Sequence, residues 1–219
     1  MAAASKSPQK WLPIALLIGL VGLVVWMLFP KPGHMTSLQT VSVHGIYFTE
    51  PNDINPFQLK STKGKSFTDQ DLRGHWTLMF FGFTHCPDVC PTTLALLNTT
   101  LEKFKETSPK LKAPEVVFVS VDPARDDIAA MKKYVSYFNP KFMGATGSDE
   151  ALRTLTRQVG VVYDKIELDD NPDNYAMEHS TSIILVNPRG AIQAIFTAPH
   201  DADTLSQELT AVYQAYKKG

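Results

Sequence analysis

The chain has 219 residues, of which 44% are hydrophobic and 20% are charged, as is usual for a globular protein. Residues 1–33 contain three of the 21 basic residues and none of the 22 acidic ones, so the remainder carries 18 basic against 22 acidic side chains. This balance gives no support to nucleic-acid binding, and the sequence contains no internal repeat or low-complexity tract.

The first predicted element is an apolar segment at residues 11–29 that contains no charged residue. As a helix it would span about 28 Å, close to the hydrocarbon thickness of a bilayer. The alternative is a cleavable signal peptide, which has a shorter apolar region followed by a small-residue cleavage site. Residues 29–33, Phe-Pro-Lys-Pro-Gly, offer no such site. We therefore predict an uncleaved transmembrane signal anchor.

Flanking charge predicts the orientation of this anchor. Lys6, Lys10 and the α-amino group precede the span, whereas Lys31 follows it. The positive-inside tendency therefore places residues 1–10 in the cytoplasm and the C-terminal domain outside. No Arg-rich, Ser-rich transit peptide precedes the anchor, which favours a single pass through a bacterial inner membrane with the domain in the periplasm. Residues 30–55 are expected to form an extended tether, and residues 56–219 the domain.

The domain begins with alternating strands and helices. A glycine turn at 62–64 predicts a hairpin, and the apolar run at 76–83 predicts a strand that is buried on both faces. A helical pattern at 92–104 follows, and then a second buried strand at 116–121.

Two further helices are expected next, one capped by Asp126 or Asp127 and one running from Ser148 to a C-terminal cap at Gly160. A strand at 183–186, a hairpin partner at 193–197 and a final helix complete the chain. This order predicts an α/β fold, a mixed sheet flanked by helices in a thioredoxin-like arrangement.

The only two cysteines are Cys86 and Cys90, in the sequence Cys-Pro-Asp-Val-Cys-Pro. They lie between a predicted core strand and the start of a helix, where free backbone N–H groups stabilise thiolates. A disulfide would close too small a loop to constrain the unfolded chain much, so we interpret the pair as functional. Redox pairs in this fold are usually separated by two residues rather than three. The spacing alone does not decide between a metal site and a disulfide.

His179 lies shortly before the strand at 183–186. In thioredoxin-like folds the residue before this strand faces the cysteine pair, so Cys86, Cys90 and His179 are predicted to converge. Soft thiolates select Cu(I), and imidazole also accepts Cu(II). His85 is the rival ligand, but adjacent residues in a strand point to opposite faces, so it is expected to point away. The other histidines are interpreted as surface or packing residues: His34, His44, His75 and His200.

Acidic residues mark two further segments. Asp122 follows the second buried strand, at the end of the sheet where ligand sites gather, and is expected to orient the loop or a ligand. Asp126 and Asp127 are equally well explained as helix caps. A second acidic segment leads to His179 and is either a solvated loop or a surface that steers a basic partner. It comprises Asp164, Glu167, Asp169, Asp170, Asp173 and Glu178.

Residues 81–91, Phe-Gly-Phe-Thr-His-Cys-Pro-Asp-Val-Cys-Pro, closely resemble the signature of the Sco/SenC family. Members of this family are membrane-anchored copper proteins of thioredoxin-like fold that assist cytochrome c oxidase assembly. Residues 121–126 and 175–180 look like its second and third motifs. The third usually reads Asp-Tyr-x-Val-Asp-His-Ser, from which Asn174, Met177 and Glu178 depart. The resemblance covers roughly Phe57 to the C-terminus.

This resemblance implies that Cys86, Cys90 and His179 bind Cu(I) or Cu(II). It further implies delivery of copper to the dinuclear site of oxidase subunit II, or reduction of that site's cysteines, with another copper chaperone as a further partner. The alternative is a periplasmic thiol–disulfide oxidoreductase or thiol peroxidase. Peroxiredoxins place a threonine three residues before the nucleophile, where this chain has Phe83 or Pro87. A Cys₂His zinc site is a third possibility, less favoured because zinc needs no redox-active pair.

Overall fold

The computed structural model describes residues 41–171 and 174–217, which form ten strands and four α-helices. The strands are β1 Gly45–Asp53, β2 Gln58–Ser61, β3 Ser66–Thr68, β4 Thr77–Gly82, β5 Glu115–Ser120, β6 Met143–Thr146, β7 Tyr163–Glu167, β8 Tyr175–His179, β9 Ile183–Val186 and β10 Ala191–Phe196. The helices are α1 Val89–Thr107, α2 Ile128–Phe138, α3 Asp149–Val159 and α4 Ala202–Tyr216. A short 3₁₀ helix spans Asp69–Leu72.

Eight of the strands form one mixed sheet in the order β1-β10-β9-β4-β5-β6-β2-β3. Strands β4, β5 and β6 run parallel, and β9 and β2 flank this group in antiparallel pairings. The parallel strands bring their carboxyl ends to one edge of the sheet, where the loops after β4 and β5 meet. The predicted mixed sheet is therefore present, and the cysteine loop leaves it at that edge.

Strand β4 lies at the centre because every residue of its sequence, Thr-Leu-Met-Phe-Phe-Gly, is buried. Leu78 and Phe80 face a core built with α1, α2 and α4. Met79 and Phe81 face a second core that includes α3. Burying side chains of this size stabilises the fold by roughly 1.5–3 kcal/mol each, so the strand that leads into the cysteine loop is firmly fixed.

The residues predicted to cap α2 and α3 lie at the ends of these helices, with one exception. The Asp127 side chain accepts a hydrogen bond from the Ala130 backbone N–H at 2.7 Å and caps α2. Ser148 caps α3, and Gly160 ends it with a φ of 71°. Asp126 is not a cap, because its carboxylate contacts the cysteine loop instead.

Four of the described strands, β1, β6, β7 and β8, were not predicted. Residues 45–53, assigned to the tether at 30–55, instead form β1, which pairs with β10. The assignment of that segment to a tether is therefore wrong, and the ordered domain begins before residue 56. β1 is an edge strand with mostly exposed side chains and contains Pro51, so it lacks the apolar alternation that identifies a strand. β6 has only four residues, Met-Gly-Ala-Thr, and most of their side chains are small. It therefore lacks the apolar pattern that would identify a strand between the two predicted helices.

The acidic segment before His179 is not a simple loop. Strands β7 and β8 form a two-stranded antiparallel hairpin outside the main sheet. Asp164 and Glu178 pair across it, and His179 lies opposite Tyr163. His179 is therefore the last residue of a strand, not a loop residue. Asp173 lies outside the described residues.

Within residues 41–171 and 174–217, no helix is long and apolar enough to cross a membrane. The predicted anchor at 11–29 and the first part of the tether lie outside the described residues.

Gly82, the last residue of β4, has no side chain and so leaves space for Cys90 and Phe118. A Cβ atom there would lie 2.6 Å from Cys90 Sγ and 2.9 Å from the Phe118 ring. We expect Gly82→Ala to lower the free energy of unfolding by about 1–3 kcal/mol, because both neighbours are packed in the core. Urea denaturation measures this difference.

Gly144→Ala is the matched control, since Gly144 also lies in a strand and its nearest neighbours are the Thr62 methyl and the end of Met131, at 3.0 and 3.1 Å. These atoms can give way, so the loss should be smaller. An equal loss in the two variants would show that the cysteine does not fill the space beside Gly82.

Candidate metal centre

The two cysteines lie where the chain turns from β4 into α1. Cys90, the second residue of α1, is fully buried, whereas Cys86 is partly exposed. Both are free thiols, and the Cys90 backbone N–H donates to Cys86 Sγ at 3.4 Å. The helix N-terminus therefore directs a backbone donor at the outer sulfur, which stabilises negative charge on it.

His179 completes the group. Its Nε2 atom lies 3.4 Å from Cys90 Sγ, and the three ligand atoms of Cys86, Cys90 and His179 all lie within 4.8 Å of one another. The other ring nitrogen, Nδ1, lies 3.0 Å from the Ser180 carbonyl oxygen. Because a carbonyl only accepts, Nδ1 carries the proton, and the Nε2 lone pair points towards the sulfurs.

Burial favours the neutral forms of both inner groups. Desolvation raises the pKa of the Cys90 thiol well above its ordinary value, and the neighbouring Cys86 adds to this effect. Desolvation also lowers the pKa of His179, although its hydrogen bond with Ser180 partly offsets the shift. At neutral pH the site therefore holds a neutral imidazole that is ready to act as a ligand, beside a thiol that gives up its proton only to a strong acceptor.

Asp126 joins the cysteine loop to the neighbouring strand. This buried carboxylate accepts hydrogen bonds from the Thr84 backbone N–H at 2.8 Å, the Thr84 hydroxyl at 2.6 Å and the Ser120 hydroxyl at 2.6 Å. It therefore fixes the chain two residues before Cys86. The sequence placed Asp126 at the correct edge of the sheet but did not reveal this contact.

Asp122 orients a loop, as the sequence suggested. Its carboxylate accepts hydrogen bonds from the Arg125 Nε–H at 2.5 Å and from the Tyr175 hydroxyl at 2.8 Å. Tyr175 begins β8, the strand that ends at His179. Arg125 and Tyr175 lie within the motifs at 121–126 and 175–180, but no local sequence pattern indicates the role of either residue.

His85 does not join the Cys–Cys–His group. It lies in a turn after β4, rather than in the strand as assumed, with Nδ1 3.2 Å from the Thr84 hydroxyl and 3.4 Å from Asp126 Oδ1. Among the other described histidines, His200 Nε2 lies 2.9 Å from the Thr181 carbonyl oxygen and His75 lies 3.7 Å from Glu115. His34 lies outside the described residues, and the backbone N–H of His44 donates to Glu208.

An open cavity of about 580 Å³ adjoins the site, lined by residues that include Cys86, His179, Val89, Val162 and Met177. Val89 and Val162 are 41% and 74% exposed, so the rim of this cavity is apolar and accessible. A partner can therefore approach the outer cysteine without unfolding the domain. Two sulfurs and one neutral nitrogen with one open side are a donor set for a soft metal ion, and the same two thiols can form a disulfide.

Differential burial predicts different reactivity of the two thiols. In the reduced metal-free protein at pH 8, we expect iodoacetamide to modify Cys86 at least about ten times faster than Cys90, because Cys90 is buried and its pKa is raised. Peptide mass spectrometry over a time course measures both rates. In guanidinium the two rates should become similar, and faster modification of Cys90 in the folded protein would contradict the observed geometry.

The low pKa of His179 predicts acid sensitivity. In the unfolded chain this imidazole regains its ordinary pKa of about 6.5 and takes up a proton that the folded state does not bind. The unfolded state therefore binds more protons in mild acid, and stability falls as the pH is lowered from 7 to 5. Urea denaturation of the metal-free protein should show a smaller acid-induced loss of stability in His179→Asn than in the unchanged chain. Equal losses in the unchanged chain and His179→Asn would contradict the assignment.

Similarity to known proteins agrees with this geometry. A family model described as SCO1/SenC matches residues 49–214. Protein SCO1 homolog 1, mitochondrial, of Arabidopsis thaliana is 34% identical over 215 residues, which covers 96% of this chain and 63% of that protein. This chain spans about three fifths of the length of several such curated relatives.

Two solved structures extend the similarity to three dimensions. The crystal structure of Arabidopsis thaliana ScoI with copper bound is 37% identical, with a TM-score of 0.69, and the match covers 74% of this chain and 98% of that one. Bradyrhizobium japonicum ScoI with copper bound is 33% identical, with a TM-score of 0.61, and the match covers 72% and 98%. The predicted α/β thioredoxin-like domain is therefore confirmed. Because the family model covers most of the sequence, this chain belongs to the SCO1/SenC family.

Proposed function

We propose that this chain is a copper-carrying assembly factor for cytochrome c oxidase, in which Cys86, Cys90 and His179 hold the copper ion as cargo. The observation that carries the proposal is the convergence of these three ligand atoms within 4.8 Å, although two of them belong to residues 89 positions apart. The copper-bound structures of the Arabidopsis and Bradyrhizobium relatives support the choice of metal.

The chemistry of the donors also favours copper. Two thiolates and an imidazole suit Cu(I), and the imidazole keeps the site compatible with Cu(II). A structural zinc site would normally be closed by four ligands, whereas this group has three. Because the thiols must be reduced and deprotonated to bind, loading couples the metal to the redox state of Cys86 and Cys90.

The accessible side of the site suits transfer to another protein. Cys86 is the outer ligand, and it lines the open cavity together with His179. The acceptor that we propose is the dinuclear copper site of oxidase subunit II, and a second copper chaperone would act as donor. An anchor at residues 11–29 in a bacterial inner membrane would keep the domain in the periplasm, where such an acceptor site is assembled.

A thiol–disulfide oxidoreductase is the second candidate, and the two free thiols, whose sulfur atoms lie within 4.8 Å of each other, favour it. In that reaction Cys86 and Cys90 would form a disulfide while a partner disulfide is reduced to two thiols, so two electrons and two protons pass to the partner. Reduction of the subunit II cysteines would combine this chemistry with copper delivery. A peroxidase is less favoured, because Phe83 and Pro87 occupy the positions where a peroxiredoxin has threonine.

Anaerobic titration of the reduced full chain with Cu(I), against a competing chelator, tests the proposed site. We expect one tightly bound equivalent of Cu(I). In His179→Ala the affinity should fall by at least about tenfold, since even residues that only orient metal ligands contribute this much to metal affinity. His200→Ala is the matched control: this histidine also contacts a backbone carbonyl oxygen but lies outside the ligand group. Its affinity should remain unchanged.

Equal affinity of the unchanged chain and His179→Ala would remove His179 from the site. Weak binding in all three proteins would leave a dithiol alone, and the oxidoreductase function would then be the better description.

A further inference from the structure

The hairpin that carries His179 lacks the support of the main sheet. Strands β7 and β8 pair with each other, and neither is part of the eight-stranded ladder. His179 is the last residue of β8, so its position relative to the cysteines depends on how the hairpin is attached to the domain. Side chains at the start of each hairpin strand provide that attachment.

The first attachment consists of Tyr175, Asp122 and Arg125, which we name the Tyr175 clamp. The Tyr175 hydroxyl donates to Asp122 Oδ1 at 2.8 Å, and Arg125 Nε–H donates to Asp122 Oδ2 at 2.5 Å. The guanidinium carbon of Arg125 lies 3.7 Å from the centre of the Tyr175 ring, and its Nη1–H donates to the Tyr175 carbonyl oxygen at 3.0 Å. Arg125 therefore contacts both the ring and the backbone of the first residue of β8.

The second attachment repeats this arrangement on β7 with Tyr163, Asp149 and Arg153, the Tyr163 clamp. The Tyr163 hydroxyl donates to Asp149 Oδ1 at 2.7 Å, and Arg153 Nε–H donates to Asp149 Oδ2 at 2.7 Å. The guanidinium carbon of Arg153 lies 4.8 Å from the centre of the Tyr163 ring. Each hairpin strand thus begins with a tyrosine bonded to one oxygen of an aspartate whose other oxygen binds an arginine.

The two clamps differ in burial. The side chains of Asp122 and Arg125 are 3% and 24% exposed, whereas those of Asp149 and Arg153 are 59% and 44% exposed. Solvent-exposed ion pairs contribute little to stability, but a buried carboxylate needs its partners. Burial and the bond to Asp122 also raise the pKa of Tyr175 to about 12, so its hydroxyl remains a donor throughout the physiological range. The Tyr175 clamp is therefore the stronger attachment.

A short chain of contacts leads from this clamp to the ligand. The Arg125 guanidinium carbon lies 5.7 Å from the centre of the Phe83 ring, and the Phe83 ring lies 6.0 Å from the His179 ring in an edge-on arrangement. Phe83 is buried at the start of the cysteine loop. Arg125 thus contacts β8 on one side and the aromatic neighbour of His179 on the other.

We propose that the Tyr175 clamp, assisted by the Tyr163 clamp, holds the β7–β8 hairpin so that His179 meets the two thiols. Arg125, Asp122 and Tyr175 are positioning residues: they set how tightly copper is bound by placing its third ligand, without touching the metal. The inference rests on the proposed copper site for its functional consequence. Its structural part, the attachment of the hairpin, can be tested without copper.

A double-mutant cycle separates positioning of His179 from a general loss of structure. Arg125→Gln and Tyr175→Phe should each lower Cu(I) affinity by about tenfold in the full chain, the range found when partners of metal ligands are removed. In the His179→Ala background the same changes should have no further effect, since the ligand that they position is gone. Tyr175→Phe removes only a hydroxyl and serves if Arg125→Gln does not fold.

Control variants sharpen the cycle. Arg157→Gln removes the same charge from α3, one turn beyond Arg153 and outside both clamps, and should leave the affinity unchanged. Arg153→Gln should have a smaller effect than Arg125→Gln because its clamp is more exposed. Equal losses in the presence and absence of His179, or no loss from either Arg125→Gln or Tyr175→Phe, would overturn the proposal.

Amide hydrogen exchange of the metal-free full chain tests the attachment itself. Exchange in β7 and β8 should be at least about tenfold faster in Arg125→Gln than in Arg157→Gln, while exchange in β4 and β5 should be the same. Unchanged exchange in the hairpin would overturn the clamp. A hairpin that loosens in a chain whose copper affinity does not depend on His179 would instead refute the copper site and leave the attachment supported.

Discussion

The contact between a buried sulfur and the nitrogen of a partly buried imidazole, Cys90 Sγ to His179 Nε2 at 3.4 Å, is the constraint on which the rest of the site depends. For this contact to form, the buried strand β4 must lead directly into the cysteine loop. The β7–β8 hairpin must also place its last residue, His179, beside that loop. Burial raises the pKa of Cys90 and lowers that of His179, so both groups are neutral in the metal-free protein. A metal ion reverses this preference for the thiol, because coordination removes its proton. Loading is therefore accompanied by proton release.

Much of the fold follows from local patterns. The continuous apolar runs at β4 and β5 predict strands buried on both faces, and the residues Asp127, Ser148 and Gly160 mark helix ends through their own side chains or backbone freedom. The position of Cys86 and Cys90 between a strand and a helix is likewise visible in the sequence. Their proximity to His179 could be predicted because thioredoxin-like folds place the residue before the strand at 183–186 opposite the cysteine loop.

The remaining features depend on partners that are distant in the chain. β1 is held mainly by backbone pairing with β10, so its side chains carry little signal. Asp126 reaches Thr84 across 42 residues, and Asp122 reaches Tyr175 across 53. A carboxylate beside a helix start has the same local appearance whether it caps the helix or binds another loop. The three-dimensional arrangement is needed to distinguish these roles. Sequence patterns could therefore predict the position of Asp126 at this edge of the sheet, but not that its carboxylate binds the cysteine loop instead of capping a helix.

The separation of Cys90 and His179 by 89 positions in the chain has a consequence for the lifetime of the protein. The complete ligand set exists only when the domain is folded, so an ion held by all three side chains stabilises the native state by mass action, by about 4 kcal/mol at a thousandfold excess over the dissociation constant. A metal-free molecule would open, and meet proteases, far more often than a molecule with the ion bound. On the proposed function, selective removal of metal-free molecules would adjust the amount of this protein to the supply of copper, without any dedicated sensor.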